Sequence, residues 1–157
     1  MAVEVGQAAP AFTLKDTDMK DRSLKEFQGK KVILAFYPAA FTGVCTKEMC
    51  TFRDSLAQLG SANAQVLGIS TDTPFANKAF GKENGITFPL LSDVSRDVIT
   101  AYDVVFPDLA GIKGLTVAKR AVFVIDGGGV VRYKWVAPEP KVEPSYAEVL
   151  AAAAKVA

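Results

Sequence analysis

Histidine is absent from all 157 residues, cysteine occurs twice and tryptophan once. Without an imidazole there is no Ser-His-Asp or Cys-His nucleophile system and no histidine-containing zinc or iron site of the usual kind. Two thiols are too few for a four-cysteine metal centre in one chain, and too few for a disulfide scaffold. Net charge is almost absent as well: 18 basic and 17 acidic residues leave +1 at neutral pH, so no overall field selects nucleic acid or an anionic membrane as a partner. Long apolar runs are missing too. The longest, roughly ten residues from Val32 to Phe41, is interrupted by Pro38 and falls short of the ~20 residues of a membrane span. The opening stretch MAVEVGQAAPAF has a glutamate in place of a basic region and no continuous apolar core, unlike a secretory signal. A cytoplasmic chain in a reducing compartment is expected, with its cysteines as thiols unless they take part in redox chemistry. What remains is a thiol working with arginine, threonine and backbone dipoles, a kit that requires no cofactor and no metal.

Half of the residues are apolar and 22% are charged, which is ordinary globular usage. With no composition shift, long linker or internal repeat, residues 1–157 read as a single domain. Lys31–Tyr37 and Gln65–Ser70 are apolar runs without alternation, as in strands buried on both faces. Between them Phe52, Leu56 and Leu59 recur at helical spacing. Pro74–Asn84 suits a helix with Thr73 as cap, Pro74 at the first position and Gly85 as the stop. Phe88–Ser92 is a short strand candidate and Ser95–Tyr102 a short helix. Arg120–Asp126 and Val130–Val136 flank three glycines and read as a hairpin. The glycines there, and those at Gly111 and Gly114, lack the strand-to-helix setting of a phosphate loop. Ser145–Lys155 is a terminal helix in which Ser145 and Glu148 have the spacing of a capping box. This order fits a mixed sheet with helices on both faces, where residues beyond the carboxyl ends of parallel strands gather at one edge.

Cys45 lies in such a place, shortly after the strand that ends at Tyr37. With Thr42 as N-cap, Cys45 is the third helical residue, inside the turn whose free amides and macrodipole favour an anion. Such a site, with an arginine nearby, can lower a cysteine pKa enough to populate the thiolate. A small, buried, unreactive thiol is the alternative. Cys50 follows five residues later, about 140° around a regular helix, so the two side chains diverge and a bond between them requires the helix to unwind. Cys50 is either the partner in such a switch or a core position beside Met49 and Phe52. Peroxide is the electrophile that suits this kit: a thiolate attacks the O–O bond, becomes a sulfenic acid, and a second thiol condenses with it. Among Arg22, Arg53, Arg96, Arg120 and Arg132, the chemical choice is Arg120, at the start of an apolar strand with its fork free to reach a pocket rim. Arg53 reads as lying outside the pocket. Glu48, three residues after Cys45, either shares its helical face and fixes an arginine fork or simply meets the charge preference of a first helical turn.

The segment from Phe36 through Pro38-Ala39-Ala40-Phe41-Thr42-Gly43-Val44-Cys45 to Glu48 resembles the Pro-x-x-x-Thr/Ser-x-x-Cys signature of the peroxiredoxin family. The likeness extends through Gly6–Phe12, Gly68–Ser70, Phe88–Leu90 and Arg120–Asp126. The resemblance implies a thioredoxin-like α/β fold, with a central mixed sheet flanked by helices and an added N-terminal segment. It makes Cys45 the peroxidatic cysteine, with Thr42 orienting the peroxide, Pro38 shielding the thiolate and Arg120 pairing with sulfur and substrate. Cys50 matches the resolving position of the Q-type, or bacterioferritin-comigratory, branch. The implied reaction is reduction of hydrogen peroxide and organic hydroperoxides, an intrachain Cys45–Cys50 disulfide, and its reduction by a thioredoxin-like or glutaredoxin-like protein. The stretch Ala39–Val44 is closer to the Phe-Thr-x-Val/Ile-Cys form of other single-domain members than to the Thr-Pro-Gly-Cys of Q-type proteins. Recycling by an external thiol therefore stays open, as does general thiol–disulfide exchange, although Cys-x-x-Cys is absent. Related proteins are monomers or homodimers meeting near the active-site edge, where Phe41 or Phe106 would either join such a surface or close the local pocket.

Overall fold

The run Val32–Phe36 is buried along its whole length, and its side chains divide between two cores. Val32, Leu34 and Phe36 join one apolar cluster with Phe12, Tyr102 and Phe123, while Ile33, Ala35 and Tyr37 join a second with Cys45, Met49 and Phe52. This is the alternation of a strand covered on both faces. The computed structural model describes residues 3–156; Met1 and Ala2, part of the stretch read above for a secretory signal, lie outside them, as does Ala157.

In chain order the elements are β1 (Thr13–Lys15), β2 (Asp21–Ser23), β3 (Lys31–Phe36), α1 (Gly43–Asp54), α2 (Leu56–Ser61), β4 (Ala64–Ser70), α3 (Pro74–Glu83), β5 (Leu90–Ser92), α4 (Asp97–Ala101), β6 (Val105–Phe106), β7 (Val117–Ala118), β8 (Ala121–Ile125), β9 (Val131–Val136) and α5 (Tyr146–Lys155). Seven strands form one sheet in the order β2-β1-β5-β4-β3-β8-β9, and β6 pairs with β7 separately. The pairs β3–β4 and β4–β5 are parallel, whereas β3–β8, β8–β9 and β1–β5 are antiparallel. The mixed sheet expected from the element order is present, and the carboxyl ends of β3, β4 and β5 open at a common edge.

Several boundaries differ from the sequence reading, each for a local reason. The helical pattern through Leu59 is interrupted at Ser55, giving α1 and α2; the Ser55 hydroxyl donates to the Thr51 carbonyl at 2.9 Å, a back-bond that tends to bend a helix. The helix expected over Ser95–Tyr102 starts only at Asp97, because Arg96 is left-handed (φ 67°) and the buried Asp93 carboxylate accepts from the Val98 and Ile99 amides at 3.2 and 2.8 Å. The capping box of α5 is half formed: Ser145 Oγ accepts from Glu148 N at 3.3 Å, but the Glu148 carboxylate accepts from the Tyr133 hydroxyl instead. Thr73 caps α3 as expected, accepting from Ala76 N at 3.2 Å, and Gly85 just beyond it is left-handed (φ 62°). The added N-terminal segment supplies β1 and β2, whose short, partly exposed sequences carry no strand pattern.

Gly68 in β4 lets α1 approach the sheet. A Cβ there would lie 2.7 Å from Leu90 Cδ2, 3.3 Å from Tyr37 Cε1 and 3.4 Å from Met49 Sδ. Gly68→Val is expected to cost roughly 1–3 kcal/mol by overpacking, measured as a lower urea midpoint with an unchanged slope.

Candidate active site

Thr42 stands at the N-cap of α1 in an extended conformation (φ −86°, ψ 150°), which makes Cys45 the third helical residue. The first intrahelical bond runs from Thr46 N to Thr42 O at 2.9 Å, so the amides of Gly43, Val44 and Cys45 have no acceptor within the helix. The Thr42 side chain does not cap the helix. Its hydroxyl donates to Ala39 O at 2.9 Å, which leaves the oxygen lone pairs to accept a bond from outside. Thr42 is exposed, whereas Pro38, where β3 ends, is buried.

Arg120 reaches this place because β8 runs antiparallel to β3. The pair Phe36↔Ala121 sets residue 120 beside the carboxyl end of β3, which is how groups 75 positions apart in sequence meet. Its side chain is 2% exposed, not the partly solvated fork at a pocket rim that its position at a strand end suggests. Nη2 donates to Cys45 Sγ at 3.2 Å and to Pro140 O at 2.9 Å; Nε donates to Pro140 O at 3.1 Å, and Nη1 to Glu48 Oε1 at 3.0 Å. Burial works against the guanidinium charge, but Glu48 and Cys45 together hold its pKa above the ordinary arginine value. Glu48 is fully buried, and its Oε2 has no hydrogen-bond partner. Burial pushes this carboxyl up to about 8, with Arg120 pulling the other way. The charge count agrees with that direction. One buried cation is shared between the Cys45 sulfur and the Glu48 carboxyl, and Glu48 Oε2 has no donor, so a buried carboxylate would be only partly compensated and the neutral acid is favoured.

Cys50 stands on the same helix, half-buried, and its thiol donates to Asn84 Oδ1 at 3.8 Å; neither cysteine is in a disulfide. The structure therefore brings Arg120 into direct contact with both Cys45 and Glu48 and leaves Cys50 facing the end of α3. Arg53 lies outside the cluster, bonded to the Asn84 carbonyl and to Asp54. Pro140 was not visible as a site residue in the sequence, since it acts through a backbone carbonyl. The segment around it straps α1: Lys47 pairs with Glu143 at 3.1 Å, and the Tyr146 ring meets Phe52 edge-on at 5.6 Å between centroids. Phe41 is 53% exposed, while Phe106 is half-buried in β6.

A family model described as the AhpC/TSA family matches residues 5–134. The chain belongs to this family. It is 42% identical over 150 residues to a Coxiella burnetii protein named as a peroxiredoxin, bcp, covering 96% of this chain and 98% of that one. It is 45% identical over 130 residues to the chloroplastic peroxiredoxin Q of Populus jackii, covering 83% of this chain and 59% of that one. The crystal structure of the Mycobacterium tuberculosis peroxidoxin BcpB superposes with a TM-score of 0.85 at 31% identity, over 96% of each chain. The peroxiredoxin is thus a thiol-dependent peroxidase on a thioredoxin-like fold, with a peroxide substrate and a thiol reductant. No helix among the described residues is long and apolar enough to cross a membrane.

Glu48 supplies a pH test. Its folded pKa of about 8 lies above the ordinary value of 4.5, so the folded state holds a proton that the unfolded chain releases. The contribution is complete below about pH 4.5 and is lost as the pH rises through about 8. Between pH 5 and 9 the wild type should lose more stability to denaturant than Glu48→Gln does, which keeps an oxygen for Arg120 but cannot ionise. Parallel stability profiles for the two proteins would contradict this.

Proposed function

We propose that Cys45 is the residue that attacks peroxide and that Cys50 resolves it within the same chain. The observation that carries this reading is the 3.2 Å contact between Arg120 Nη2 and Cys45 Sγ, two buried side chains. A fixed cation at the sulfur stabilises a thiolate, and it can also stabilise charge developing on the departing oxygen. The thiolate attacks one peroxide oxygen. The O–O bond breaks with its electron pair on the leaving oxygen, which takes up a proton and departs as water or an alcohol. Cys45 becomes a sulfenic acid, and the peroxide is reduced by two electrons. Thr42, with free lone pairs beside the first turn, accepts the peroxide hydrogen; Pro38, buried where β3 ends, helps to keep water from the sulfur.

Cys50 then attacks the Cys45 sulfur, the S–OH bond breaks, and water leaves as the disulfide forms. In the third and eighth positions of α1 the two thiols point apart, so the helix must open and Cys50 must leave Asn84. A dithiol protein of the thioredoxin or glutaredoxin type returns both cysteines to thiols by exchange, becoming oxidised itself. Each chain completes the cycle with its own cysteines, so a homodimer is not required, and a cytoplasmic location suits the supply of reducing thiols. Residues 1–157 act here as one catalytic unit.

Peptide mass mapping after one equivalent of hydrogen peroxide tests the assignment. The expected product is a Cys45–Cys50 link within single chains, replaced in Cys50→Ser by a trappable sulfenic acid on Cys45. Sulfenic acid on wild-type Cys45 with Cys50 still free would overturn the intrachain step and assign resolution to an outside thiol. An unmodified Cys45 in both proteins would overturn its role.

A further inference from the structure

A second cluster of buried polar groups lies beneath the loop that joins β3 to α1, and the cycle above makes no use of it. The Tyr37 hydroxyl, at the end of β3, donates to Asn77 Oδ1 at 2.7 Å. The Asn77 amide on α3 donates to Ser70 Oγ at 3.2 Å and to Ser92 Oγ at 3.1 Å. Ser70 Oγ in turn donates to Asp72 Oδ2 at 2.9 Å, and that same carboxylate oxygen accepts the backbone N–H of Ala40 at 2.8 Å. Tyr37, Ser70 and Asn77 are fully buried and Ser92 nearly so. Three parallel strands and a helix therefore hold one carboxylate, and the carboxylate holds one loop amide.

The loop needs such a hold. Phe41 adopts a left-handed conformation (φ 66°), an arrangement that a bulky side chain avoids and that persists only where its surroundings impose it. Packing imposes only part of it: the Phe41 ring meets Phe80 edge-on at 5.4 Å between centroids, yet Phe41 remains 53% exposed. The hydrogen bond from Thr42 Oγ1 to Ala39 O is internal to the loop. The Ala40–Asp72 bond is the charge-assisted tie from the loop to the sheet edge.

We propose that Asp72 is a positioning residue for the peroxide step, pinning the Pro38–Thr42 loop in the strained conformation that delivers Thr42 and the first turn of α1 to the peroxide. The proposal rests on the reading that peroxide is received at this loop. Asp72 lies outside the Arg120 cluster and touches none of its members through a hydrogen bond. Losing its carboxylate would let the loop relax, and displacement of a positioned group by about 1 Å can slow a reaction by about 10²-fold.

The test is the second-order rate of sulfenic acid formation on the reduced full-length protein with hydrogen peroxide, with thermal unfolding followed in parallel. Asp72→Ala should slow this step by at least roughly tenfold while leaving reduction of the preformed disulfide by dithiothreitol unchanged. Asp72→Asn should restore most of the rate, because its amide oxygen can still accept from Ala40 N and Ser70 Oγ. Thr73→Ala removes the neighbouring cap of α3 and lowers stability without touching the loop, and it should react at the wild-type rate. Wild-type reactivity in Asp72→Ala, no rescue by asparagine, or equal slowing in Thr73→Ala would each overturn the positioning role. Thr42→Val is run alongside: if it leaves the peroxide step unchanged, the loop reading itself fails, whereas slowing in Thr42→Val but not in Asp72→Ala removes Asp72 alone.

Discussion

A guanidinium almost without water is the constraint around which the site is arranged. Arg120 cannot leave its charge in a closed interior without fixed acceptors, and it has them from separate parts of the chain: Cys45 and Glu48 on α1, and the Pro140 carbonyl on the segment beyond β9. Each partner is placed by a different element. The antiparallel β3–β8 register sets the arginine beside the end of β3, the helix start sets the sulfur, and the proline-rich strap sets the carbonyl. Arginine suits this task because its planar fork can donate in several fixed directions at once, which a lysine ammonium on a flexible stem does not reproduce.

The same packing sets up an opposition between the two halves of the proposed cycle. Met49 and Phe52 are buried beside Cys45 in the core beneath α1, and fully burying such side chains stabilises by roughly 2 kcal/mol each. Lys47 is tied to Glu143, while Cys50 and Arg53 both meet Asn84. These contacts hold α1 helical, which keeps the sulfur against Arg120. In the proposed cycle a Cys45–Cys50 disulfide would require part of that set to be released, so the form that meets peroxide would not be the form that closes the bond.

Much of this was legible in the residues. Unalternating runs marked β3 and β4, the glycine-centred hairpin marked β8 and β9, Thr73 and Gly85 bounded α3, and the Thr42–Cys45 spacing placed the thiol in the first helical turn. Glu48 was legible as one candidate partner of an arginine because it follows Cys45 by three positions on one helical face, although a first-turn charge preference explained it equally well. Other parts leave weak or no local marks. The strands β1 and β2 are three residues each and polar, so they acquire their structure from the neighbour they pair with. Ser55 interrupts a helix whose apolar spacing continues across it. Pro140 acts through its carbonyl and has no side-chain signature. Ser70, Asp72 and Asn77 form one network only after β4 and α3 are packed together, although a polar run directly beyond a buried strand was a visible hint. The burial of Arg120 followed from strand register, which pairs residues far apart in sequence and cannot be read from either segment alone.

The most direct test of the central claim is the rate at which reduced protein reacts with hydrogen peroxide when Arg120 is replaced by lysine, which keeps the charge and removes the fork. If the guanidinium geometry at Cys45 governs the reaction, Arg120→Lys should be slower by about 10²-fold or more, with the folded state retained by circular dichroism. A folded Arg120→Lys protein that forms sulfenic acid at the wild-type rate would contradict the claim, because charge alone would then suffice and the fixed contacts of the fork would have no part in the chemistry.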